Sequence, residues 1–145
     1  MAETLGSLCD KLAIVKIKQF HVEDNVRKSS LLTQEKQLIG EIDCYIGDAI
    51  RGAIPLEKIT FVSNKIFKEK GNETREFSGG IGDIFSELSK INCTLWHEQE
   101  KVYDFESVSV GEKDLVVKKL AILNLERNKC IDEINRQFHR LLNKP

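Results

Sequence analysis

Shifted by 76 positions, the chain overlies itself. Residues 5–24 (LGSLCDKLAIVKIKQFHVED) align without a gap on residues 81–100 (IGDIFSELSKINCTLWHEQE), with Gly6/Gly82, Leu12/Leu88, His21/His97 and, just beyond, Val26/Val102 identical. Leu5/Ile81, Leu8/Ile84, Ala13/Ser89, Phe20/Trp96 and Asp24/Glu100 are like for like, and the same offset sets Asp48 and Arg51 against Asn124 and Arg127. A register kept for about 45 positions reads as a duplicated helical hairpin. The halves are residues 5–51 and 81–142, with a connector over 52–80. Each half is too small to bury its apolar face alone, so the expectation is one domain of 145 residues fused across one core.

Periodicity makes all four arms helical and the fold mainly α, a compact helical bundle. Leu5, Leu8, Leu12, Val15 and Gln19 recur at spacings of three and four, as do Ile84, Leu88, Ile91 and Leu95. The last arm, from about Glu112 to Asn143, contains neither proline nor glycine and is expected to be the longest helix. Thr4 and Ser78 are expected N-caps. In the connector, Pro55 and the stretch around Gly71 interrupt the pattern. Residues 59–67 read as an extended or mixed segment able to form a short strand or hairpin.

The charge balance is close to neutral, with 22 Lys and Arg against 23 Asp and Glu. It gives no field for a long nucleic acid. Residues 1–18 have no signal-peptide pattern and no apolar run spans a membrane, so the expected location is the cytoplasm, or the host cytoplasm for a phage-encoded chain. Cys9, Cys44, Cys93 and Cys130 form no C-x-x-C pair. Their counterparts at the 76-residue offset are Phe85, Leu120, Ile17 and Ile54, all large and apolar, so the four thiols are expected to be buried and structural.

No catalytic motif, cofactor loop or metal-ligand spacing stands out. His97-Glu98 opens like H-E-x-x-H, but position 101 is Lys. The expectation is therefore a non-enzyme with no cofactor and no metal. Candidate ligand contacts come from the repeat. In Phe20-His21 and Trp96-His97 an aromatic ring turned to the core would leave its imidazole at the stripe's edge, in a groove. There a histidine can meet a phosphate or a neighbouring helix. Arg51 and Arg127 fit either a surface pair with the residue one turn earlier or bidentate anion contact. Ser78, Gly79 and Gly80 present backbone N–H groups at a helix N-terminus, which suits an anion or simply a turn. Lys65 of the connector completes the candidate set.

The strings LGSLCDKL (residues 5–12), LWHEQE (95–100) and LNLERNKCIDEI (123–134) resemble a group of small helical proteins of tailed phages and some bacteria. Its members carry L-W-H-x-E-[DE] followed by N-x-x-R-N-x-x-I. The resemblance brings no catalytic residues. It implies a protein that binds and disables something in the host. The first reading is thus sequestration of a small anionic, nucleotide-type ligand such as a host immune signal, with the aromatic rings on a base and His21, His97, Arg51 and Arg127 on phosphates. The alternative is a helical interaction module that binds a host or phage protein. A homo-oligomer fits both.

Overall fold

The computed structural model describes residues 3–144. Four helices make a bundle: α1 (Leu5–His21), α2 (Asn25–Ile50), α3 (Ile81–Tyr103) and α4 (Val110–Leu142). The last is the longest, at 33 residues. The three-residue link between α1 and α2 makes an antiparallel hairpin, and α3 and α4 share the most extensive interface. Gly6 meets Asn135 and Asp10 meets Arg127, so α1 also runs antiparallel to α4. It follows that α1 and α3 run in the same direction, side by side.

Local chemistry starts each helix. At α1 the Thr4 hydroxyl accepts from the Ser7 N–H while Ser7 Oγ accepts from the Thr4 N–H, so two otherwise orphaned donors are paired. Asp24 caps α2 through the Val26 N–H at 3.2 Å. The expected Ser78 cap is replaced: α3 begins after Gly80, whose N–H donates to Asp83 Oδ2 at 2.9 Å. Gly79 enters this turn at φ +106°, and a Cβ there would lie within 2.4 Å of the Asp83 carboxylate.

The core follows the expected stripe of α3. Ile84, Leu88 and Ile91 are 0–1% exposed and pack on Leu123, Cys130, Ile131, Ile134 and Phe138 of α4, with Leu5 of α1 and Ala49 of α2. Two cysteines depart from expectation. Cys130 is buried, and burial pushes its thiol up to about 12, whereas Cys44 and Cys93 are exposed. Having an apolar counterpart in the other half does not bury a residue when the two halves pack differently.

No strand forms among the described residues, so the connector is irregular, with one short 3₁₀ turn at Leu56–Lys58. Its partner is α4 rather than another strand. Ile59 enters the core, the Asn64 N–H donates to Asp132, and Arg75 donates to Glu126 at 3.0 Å. Lys129 donates to Thr74 Oγ1, the Arg75 carbonyl and Glu76. These contacts satisfy polar groups that would otherwise pair in a ladder.

The Asp132 contact makes docking of the connector sensitive to pH. Burial pushes this carboxyl above the usual range, against the opposing hydrogen bond from Asn64. A raised carboxyl in the folded state stabilises fully below its unfolded value near 3.8 and loses that contribution as pH rises through the folded value. Asp132→Asn is therefore expected to melt higher than the parent at pH 7, with the gap closing towards pH 4. Thermal unfolding followed by circular dichroism across that range checks it, and a variant that melts lower at pH 7 would contradict it.

Candidate functional site

Phe20-His21 ends α1 and Trp96-His97 lies in the second half of α3, and the side-by-side packing of those helices brings the two pairs together. His21 stacks on Trp96 with ring centroids 4.8 Å apart and planes 13° from parallel. His97 meets His21 edge-on at 6.3 Å, and Phe20 does so at 5.2 Å. The Trp96 indole N–H donates to Glu100 Oε1 at 2.7 Å, which fixes the ring's rotation.

Below these rings an open groove of about 750 Å³ runs between α1 and α3. Leu12, Ala13 and Ile17 line one side, with Phe85, Ser89 and Cys93 on the other. Across it stand four pairs 76 residues apart: Ala13/Ser89, Ile17/Cys93, Phe20/Trp96 and His21/His97. The lining is mainly apolar. Its two charged residues, Lys16 and Glu35, bond each other at 2.8 Å. Hydrogen bonds from Lys16 and Gln19 hold the Glu35 carboxyl below the usual carboxylate range.

Of the expected contacts, Phe20, His21, Trp96 and His97 converge here. Phe20 does so from outside: its ring is 86% exposed and stands on the rim, where a core-facing ring was expected. Six other candidates do not reach the groove. Arg127 is committed to Asp10, with Nε at 2.9 Å and Nη2 at 2.5 Å from its two carboxylate oxygens. Arg51 pairs with Asp48 one turn back on the exposed surface. The Gly80 N–H is already taken by Asp83 and the Gly79 carbonyl by Gln137, so the site's own carboxylate occupies the place of an anion. Ser78 and Lys65 are exposed on the connector.

The groove residues missing from the sequence reading had a signal. Phe85, Ser89 and Cys93 recur every four residues and lead on to the expected Trp96, a second stripe beside the core stripe of α3. Its mixed polarity hid it. Among the described residues no cluster of three or more His, Cys, Asp or Glu is placed to hold a metal ion, and no helix is long and apolar enough to cross a membrane.

The fold and groove define a class, a four-helix bundle with an aromatic-walled surface groove. No protein-family model, curated protein or solved structure matches the chain.

Proposed function

We propose that this chain is a non-enzymatic binding protein that sequesters a small nucleotide-type ligand, the base lying in the α1–α3 groove. One observation carries the reading: Phe20, His21, Trp96 and His97, drawn from two distant segments, meet around an open groove of about 750 Å³. Small-molecule pockets span roughly 300–1,000 Å³ and are mostly apolar with a few polar groups, which fits this lining. Flat rings suit stacking on a base. The lining's one carboxylate, Glu35, is bonded to Lys16 and Gln19. The phage-like signature gives sequestration a purpose, the removal of a host defence signal.

A thermal-shift panel of cyclic dinucleotides, cyclic ADP-ribose isomers and NAD tests this. A ligand held at a hundred times its Kd is expected to raise Tm by about 5–10 °C, and Trp96→Ala to abolish the rise.

Exposed apolar side chains support a second reading, an interaction module for a protein partner or a further copy of the chain. Beside Phe20, α2 exposes Leu32 and Ile39, which are 53% and 45% accessible and two turns apart on one face. A flat thermal-shift panel combined with self-association that Phe20→Ser or Leu32→Ser abolishes in sedimentation would favour it over the first.

A further inference from the structure

The wall made by His21 and Trp96 has a second side. Behind it lies a separate hollow of about 430 Å³ in which the same two rings meet Lys18, Arg27, Ser30 and Gln34. The two hollows differ in chemistry. The α1–α3 groove is apolar and its one lysine is paired, whereas this one adds two cations, a hydroxyl and an amide to apolar surface from Val22 and Leu31.

The hollow borders the C-terminal end of α1 and the N-terminal end of α2, whose poles are of opposite sign. Arg27 and Lys28 occupy the first turn of α2, which contains no acidic residue. That end of a helix carries the positive pole of the macrodipole, where cations are unfavourable and an anion is stabilised. Asp24 caps the turn through the Val26 N–H, and its other oxygen forms a long ion pair with Arg27 Nε at 3.7 Å. The Arg27 side chain is 80% exposed. Lys18, from the last turn of α1, faces the same space and has no ion pair among the described residues.

Resting on the reading of the α1–α3 groove as a small-ligand site, we infer that this hollow is its anion subsite. The ligand is then a planar ring bearing a phosphate: the ring lies against the His21–Trp96 wall, and the phosphate is held by Lys18 and Arg27 with Ser30 and Gln34 as neutral donors. This moves the phosphate contacts from Arg51, Arg127 and the Ser78–Gly80 amides to residues on either side of the α1–α2 turn.

Trp96 is the single tryptophan of the chain, so its fluorescence reports on the shared wall. Titration of AMP against adenosine, and of GMP against guanosine, is the test. At low salt each nucleotide is expected to bind about tenfold more tightly than its nucleoside, with the advantage shrinking as salt rises. Lys18→Ala/Arg27→Ala is expected to reduce nucleotide affinity to that of the nucleoside, and Arg51→Ala to leave it unchanged. Equal affinity for nucleotide and nucleoside in the parent protein would overturn the anion subsite while leaving the groove as a base site. Loss of binding to both on Arg51→Ala would overturn it too. Absence of quenching by all four compounds would overturn the groove reading itself, so the two failures are distinguishable.

Discussion

Gly6→Ala is expected to destabilise the protein by about 3 kcal/mol, while Gly82→Ala, at the matching position of the other half, is expected to stabilise it by about 0.5 kcal/mol. Gly6 lies where α1 crosses α4. A Cβ there would fall 2.5 Å from the Ile131 carbonyl oxygen and 2.9 Å from Asn135 Oδ1. The carbonyl belongs to a helix backbone and cannot swing aside, so α1 and α4 must separate. Separation also strains the bond from the Gly6 N–H to Asn135 Oδ1, 2.8 Å long and buried, which a spread interface would leave unsatisfied. Around Gly82 nothing lies within 4 Å of a built Cβ, and alanine there adds helix propensity at no packing cost. Urea unfolding of both variants by far-UV circular dichroism checks the pair. Equal shifts of the same sign would show that the α1–α4 approach is looser than described.

The matched arginines are expected to diverge in the same way. Arg127→Ala should cost about 3–4 kcal/mol, because it leaves a buried charge without its cation. Asp10 is 3% exposed and is held from α3 by Asn92 Nδ2 at 3.0 Å and from α4 by both Arg127 nitrogens, so one carboxylate ties three helices. Arg51→Ala removes a pair whose side chains are 68% and 44% exposed and should cost about 0.5 kcal/mol or less. A double-mutant cycle with Asp10→Asn isolates the buried coupling. A coupling below about 0.5 kcal/mol would mean that water already reaches the pair.

These two contrasts also mark how far the sequence could be read. The helices were legible because their signals are local: Thr4 caps α1, the stripe of Ile84, Leu88 and Ile91 repeats every three to four residues, and the last arm lacks any breaker before Asn143. The connector was not, because its Ile59, Asn64 and Arg75 take their contacts from the core and α4, far along the chain. Ser78 lost its capping role to Asp83, whose carboxylate reaches back over one turn, an outcome that depends on the Gly79 backbone.

The candidate site divides similarly. Pairing an aromatic residue with histidine in each half marked the positions that meet at the groove. Spacing alone could not say that the rings would stack on one another, or that Phe20 would stand outside. The anion contacts expected at Arg51, Arg127 and Gly80 meet one shared obstacle: intramolecular carboxylates, Asp48, Asp10 and Asp83, already take those donors. Lys18 and Arg27 carry no repeat signature, since their importance lies in the turn that brings the end of α1 beside the start of α2.

By itself the sequence determined four helices, their apolar faces and the matched positions in the two halves, because hydrogen bonding and side-chain periodicity within a helix are properties of neighbouring residues. Only the tertiary structure decided which member of each matched pair is buried. α1 presses Gly6 and Asp10 onto α4, whereas Gly82 and Arg51 face solvent. The helices had to pack before burial could distinguish one glycine or one arginine from its twin.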